Sequence, residues 1–115
     1  MQMMPKKMFS VIALITLLSV YPLSVHSDIR TDVAANRPAR EIITDALSKG
    51  SGICTVVGDV IKAGGNTADT VENAITMGHP SCVVVRCAIA AGGQLEDVII
   101  SAFRAGASSD VITTC

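Results

Sequence analysis

RPAREIITDALSKG, SGICTVVGDVIKAG, GNTADTVENAITMG, HPSCVVVRCAIAAG and GQLEDVIISAFRAG follow one another without a gap over residues 37–106. Each block ends on glycine, so Gly50, Gly64, Gly78, Gly92 and Gly106 stand 14 residues apart; a further block, ASSDVITTC, covers 107–115. A unit this short cannot bury an apolar face by itself and must stack on its neighbours, so the repeat decides the fold.

Numbering each block from 1 to 14 aligns the chemistry. Position 6 holds Ile42, Val56, Thr70, Val84, Val98 and Ile112, and position 7 holds Ile43, Val57, Val71, Val85, Ile99 and Thr113. Position 10 holds Ala46, Val60, Ala74, Ala88 and Ala102, and position 11 holds Leu47, Ile61, Ile75, Ile89 and Phe103. Apolar residues at 6, 7, 10 and 11, with small residues at 13 and 14, trace one face of a helical period. Strict alternation is absent. Cys82-Val83-Val84-Val85 alone has strand-like composition, which makes a parallel β-solenoid the competing architecture. The Ala-rich half-block AIAAG, and Glu41 and Asp45 in the half of their block where a helix dipole favours acids, weigh towards helix.

Gly50, Gly64, Gly78, Gly92 and Gly106 are read as helix C-caps, which supply the left-handed conformation that ends a helix. Pro38 and Pro80, both at position 2, suit a first helical turn, where no N–H is needed. Asn66 or Thr67, and Ser108 or Ser109, are N-cap candidates. Each helix is then about ten residues, roughly 15 Å, and marginal unless stacked. Three or four connecting residues make neighbours antiparallel, so two blocks form one αα-hairpin. Gly58 lies mid-helix at a cost of about 1 kcal/mol against Ala, which points to a close backbone approach there.

The expected fold is therefore all-α, a small α-solenoid of about five and a half helix-turn repeats. The repeated pattern V-V-x-x-A-I-x-A-G resembles α-solenoid repeat proteins in general, and short exported bacterial proteins built from A-G-terminated helical repeats. The resemblance is one of repeat grammar. The units are shorter than tetratricopeptide, ankyrin or HEAT repeats, so no binding residue carries over.

Ahead of the repeats, MQMMPKK is a charged leader, MFSVIALITLLSV an apolar run, and Val25-His26-Ser27 a stretch with small residues at −3 and −1 of a cleavage point. This is the grammar of a secretory signal peptide over residues 1–27, cleaved after Ser27. The run is shorter than the ~18–20 residues of a spanning helix. Residues 28–36 read as a polar leader and 37–115 as the repeat domain. The expected location is periplasmic or extracellular, in a form compatible with bacterial Sec export.

The mature part, 28–115, carries seven Lys/Arg against ten Asp/Glu. This balance offers no attraction to nucleic acid or anionic lipid. Phe103 is its sole aromatic residue, which argues against base-stacking platforms. A core this small calls for staples, and four Cys in an exported chain supply two disulfides. Cys54 and Cys82 share position 4, and Cys87 and Cys115 share position 9. At 100° per residue the two columns flank the buried face on opposite sides. Helices two blocks apart then favour Cys54–Cys87 with Cys82–Cys115. The register-matched alternative, Cys54–Cys82 with Cys87–Cys115, avoids an axial offset of about 7.5 Å but points both side chains the same way.

Chemistry-bearing readings are weaker. The Cys82-x4-Cys87 spacing lacks the close pairs of a zinc site. His79, three residues before Cys82, has no orienting partner for a Cys–His nucleophile and reads as a turn residue. Asp45, Asp59, Asp69, Glu72, Glu96, Asp97 and Asp110 are spread one or two per block, as solvated faces and helix N-termini are. Gly64-Gly65 and Gly92-Gly93 lack the surroundings of a phosphate loop. No cofactor, metal, membrane span in the mature chain or enzyme activity is implied. The functional expectation is a non-enzymatic exported protein that binds another protein or an envelope component. A self-assembling fibre or scaffold subunit, and a small secreted effector or inhibitor, are the alternatives.

Overall fold

The computed structural model describes residues 28–115; the signal-peptide reading and its cleavage point at Ser27 lie outside the described residues. Seven helices follow one another: α1 Asp28–Ala34, α2 Ala39–Ser48, α3 Ile53–Lys62, α4 Thr67–Thr76, α5 Ser81–Ala90, α6 Leu95–Arg104 and α7 Ser109–Thr114. Among the described residues there is no strand, so the β-solenoid alternative is set aside. Helices α2 to α6 are ten residues each and occupy positions 3 to 12 of their blocks.

The stops are uniform because the backbone solution is the same each time. Gly50, Gly64, Gly78, Gly92 and Gly106 have φ between 92° and 103°. After α3, the Gly64 N–H donates to Ile61 O and the Gly65 N–H to Val60 O, at 3.0 and 2.9 Å. Such crossed bonds satisfy carbonyls that the last turn would otherwise orphan. The same pair recurs at the other four glycines.

It recurs once more where the sequence reading places a leader. Asn36 has φ 56°; its N–H donates to Val33 O, and the Arg37 N–H to Asp32 O, both at 3.0 Å. Asn is the side chain best suited to stand in for glycine at a left-handed stop, and Asn36 lies 14 residues before Gly50. Residues 28–36 are therefore the end of a further repeat unit. Ile29 and Val33 fall at its positions 7 and 11 and pack against the core.

Helix starts fall one residue later than the prolines suggested. Position 2 is the N-cap throughout, so Pro38 (φ −57°) and Pro80 (φ −60°) stand just outside α2 and α5. Asn66 Oδ1 accepts from the Asp69 N–H at 2.9 Å, and Ser108 Oγ from the Val111 N–H at 3.3 Å. This selects Asn66 over Thr67 and Ser108 over Ser109.

Helices pack with the next in the chain from α1 through α6, and with the helix two places on from α1 through α7. Two rows result: α1, α3, α5 and α7 in one, α2, α4 and α6 in the other. The core runs between them. Positions 6, 7 and 10 supply it: Ile43, Val56, Val57, Val71, Ala74, Val84, Ala88, Val98 and Ala102 are wholly buried. Full burial of each Val or Ile side chain is worth about 1.5–3 kcal/mol, which holds helices too short to persist alone. Thr70, in the column of valines, is also buried, and its hydroxyl donates to Asn66 O at 2.7 Å. Its polar atom is thus satisfied within its own helix at little cost.

Position 11 departs from expectation. Ile75 is 9% exposed, but Ile89 is 41% and Phe103 45% exposed. Gly58 also differs: it is buried, yet an added Cβ would meet nothing closer than Ala91 Cβ at 3.8 Å, an ordinary contact. The close approach falls at Gly65 instead, where a Cβ would sit 2.6 Å from Val60 Cγ1 and 2.9 Å from Val60 O.

Candidate functional site

The repeat brings the cysteines to one row. Cys54 on α3 bonds Cys87 on α5, and Cys82 on α5 bonds Cys115 beside the end of α7. The Cα–Cα separations are 5.3 and 5.5 Å, at a sequence separation of 33 in each case. Each bridge runs from position 4 of one helix to position 9 of the helix two places on. An ideal helix separates those positions by about 7.5 Å along its axis, so in-row helices must shift or tilt against one another to bring the Cα atoms this close. Helix α5 is stapled on both flanks. Asp59 at position 9 of α3 and Asp110 at position 4 of α7 are exposed.

The bridges consume every Cys sulfur among the described residues. No thiolate is left to ligate zinc or attack a substrate. Among those residues no three His, Cys, Asp or Glu side chains converge as metal ligands. His79 is half-buried in the turn after α4, where its N–H donates to Ala74 O at 3.3 Å; it serves the helix stop and faces no carboxylate at salt-bridge distance. Gly64-Gly65 and Gly92-Gly93 sit in the stops of α3 and α5.

An open groove of about 430 Å³ lies where the ends of α1 and α3 meet the starts of α2 and α4, lined in part by Val33, Arg37, Ile42, Val60, Asn66 and Asp69. Its cation and its side-chain amide are already engaged. Arg37 reaches Asp32 on α1 at 3.0 Å and Asp45 on α2 at 2.9 Å; hydrogen bonds to Asp32 and then Asp45 raise its pKa, so it stays charged. Asn66 holds its cap. The groove therefore ties α1 to α2 and lacks the convergent free polar groups of a ligand site.

The outer faces differ between rows. On the row α2, α4, α6, position 5 carries Glu41, Asp69 and Asp97, all exposed. Positions 4, 8 and 9 add Glu96, Glu72 and Asp45. Core residues at positions 6 and 7 fix this column, because side chains one and two residues before them point away from the buried face. On the other row position 5 carries Thr55, Val83 and Val111, also exposed. The difference was latent in the alternation of blocks, and emerges once alternate blocks are known to share a row.

Exposed apolar residues on α6 are the feature that sequence reasoning missed: Leu95 is 62%, Ile100 43% and Phe103 45% exposed. Val83 is 40% and Ile89 41% exposed on α5, so exposed apolar side chains occur on both rows. Among the described residues no helix is long and apolar enough to cross a membrane. Comparisons with protein-family models, with curated proteins and with solved structures find no match to this chain.

Proposed function

We propose that this is an exported, non-enzymatic helical-repeat protein that binds another protein or an envelope component along the row α2, α4, α6. The observation that carries the reading is the exposed acidic column Glu41, Asp69 and Asp97, one residue per in-row helix. Repeat stacks use such registered surfaces to bind extended partners. An acidic column favours a partner with basic groups at matching intervals. Two disulfides support export, since bridges persist in oxidising compartments. The staples lie on the opposite row and stiffen the stack without occupying the acidic face.

The test places a photo-crosslinking residue at position 69, and separately at position 55, in the protein expressed and exported in its host. Specific adducts from position 69 that weaken with salt, and that Glu41→Gln with Asp97→Gln removes, support the reading. An exported, oxidised protein that yields no adduct from any site on the acidic row refutes it.

A further inference from the structure

The two bridges interlock along the chain. Cys54 pairs with Cys87 and Cys82 with Cys115, so each bridge passes over one cysteine to reach its partner. Four cysteines allow three pairings, and this is the one in which no cysteine bonds its neighbour in sequence. The unfolded chain favours the other two. Cys82 and Cys87 lie five residues apart, and the pairs Cys54–Cys82 and Cys87–Cys115 each span 28, against 33 for the native pairs. Loop-closure entropy favours the shorter loops, which leaves the native set to roughly one chain in ten. Cys54 and Cys82 also leave the ribosome ahead of Cys87, since synthesis runs from the N-terminus.

Only the folded stack reverses this preference. Within α5, Cys82 and Cys87 are turned about 140° apart at 100° per residue, too far round the helix to bond each other. Cys54 meets Cys87 only once α3 and α5 have packed in one row. Ten-residue helices do not persist alone, and each bridge stabilises about as much as a core this small supplies. The stack that selects the native pairs thus depends on the bridges it selects, and oxidation ahead of stacking traps wrong pairs. A misbridged chain cannot correct itself. Two bridges use all four of its cysteines, so no thiolate remains to begin an exchange.

We infer that the native bridges are supplied by thiol–disulfide exchange with an external dithiol protein, a disulfide isomerase, in the compartment where the chain is oxidised. The exchange balances with no net oxidant or reductant. The isomerase thiolate attacks Cys54 Sγ in a Cys54–Cys82 bridge, forms a mixed disulfide and releases the Cys82 thiolate. That thiolate attacks Cys115 Sγ in a Cys87–Cys115 bridge, closes Cys82–Cys115 and releases the Cys87 thiolate. Cys87 then attacks Cys54 Sγ in the mixed disulfide, closes Cys54–Cys87 and frees the isomerase thiolate. Two bridges enter and two leave. The inference takes its oxidising compartment from the export reading, but its experiment involves neither export nor the acidic column, so each fails separately.

The experiment reoxidises the full chain in solution. Reduced, unfolded protein is diluted from denaturant into a dithiol oxidase until no free thiol remains, and the oxidase is removed. A catalytic amount of a reduced isomerase with a Cys-x-x-Cys site is then added. Trypsin without reductant reads the pairing, because Lys62, Arg86 and Arg104 place each cysteine in its own peptide. Before the isomerase, roughly one chain in ten should join peptide 50–62 to peptide 87–104; after it, that fraction should rise by roughly fivefold or more. The same isomerase with both active-site cysteines replaced by Ser should give no rise. Native pairing in most chains from the oxidase alone, no rise on adding the isomerase, or an equal rise with its inactive form would each overturn the inference.

Discussion

Two glycines, one inside a helix and one at its stop, should respond to the same substitution with opposite signs. Gly58 lies inside α3 with helical neighbours, and a Cβ there meets only Ala91 Cβ at 3.8 Å. Gly58→Ala therefore adds a methyl in ordinary contact and removes the entropic cost of glycine in a helix interior. The expected gain is about 1 kcal/mol. Gly64 ends the same helix at φ +92° with nothing within 4 Å of its Cβ position. Gly64→Ala meets no neighbour, so its cost is the backbone term alone, about 1–2 kcal/mol for an L side chain held in the left-handed region. Urea unfolding followed by far-UV circular dichroism, with both disulfides intact in every variant, reads the two effects. With a slope of about 1 kcal/mol per M for a small domain, the midpoints should separate by about 2–3 M, Gly58→Ala above wild type and Gly64→Ala below. A destabilised Gly58→Ala would mean that α3 and the end of α5 approach more closely than 3.8 Å allows. A neutral Gly64→Ala would mean that the left-handed stop does not limit α3.

The disulfides, the hidden repeat and the caps offer three further tests. Replacing Cys54 and Cys87 together by Ser reopens a loop closed at a sequence separation of 33, which the chain-entropy relation values at about 3.8 kcal/mol; a loss below 1 kcal/mol in equilibrium unfolding would refute that origin. Replacing Cys82 and Cys115 should in addition release the amides of α7 in native-state hydrogen exchange, since that bridge anchors residues beside the chain's last turn. Asn36→Gly should be neutral or slightly stabilising and Asn36→Val should cost about 1–2 kcal/mol, because φ 56° suits the former and strains a β-branched residue; equal stability would deny Asn36 its role as a stop. Asn66→Ala should cost about 1 kcal/mol by removing the bond to the Asp69 N–H, with Ser largely restoring it.

What could be read from the chain followed from local physics. Ten-residue helices, their glycine stops and the cap at Asn66 depend on residues within one turn of each other, and a 14-residue repeat states them five times over. The two Cys columns at positions 4 and 9 were equally legible, because a helix's angular geometry places them on opposite flanks. The segment ahead of Arg37 was misread for a related reason. Its stop is Asn36, which breaks a ruler made of glycines while serving the same backbone conformation. Reading the period as a requirement for φ > 0, with Asn admissible, would have found it.

The acidic column was half-legible. Its residues repeat at position 5, but Glu41, Asp69 and Asp97 become one surface only when alternate blocks share a row. The choice of Cys54–Cys87 over Cys54–Cys82 belongs to the same class. It turns on how far in-row helices shift along one another, a quantity set by packing between residues tens of positions apart.

By itself, the sequence determined the length, ends and buried stripe of each helix, because each is settled within a few residues by periodicity and backbone preference. Tertiary structure decided which side chains the next helix covers. Ile75 and Phe103 occupy the same place in their blocks and differ in exposure from 9% to 45%. Burial of a given side chain is a property of its neighbours in space, and those neighbours lie one or two repeats away.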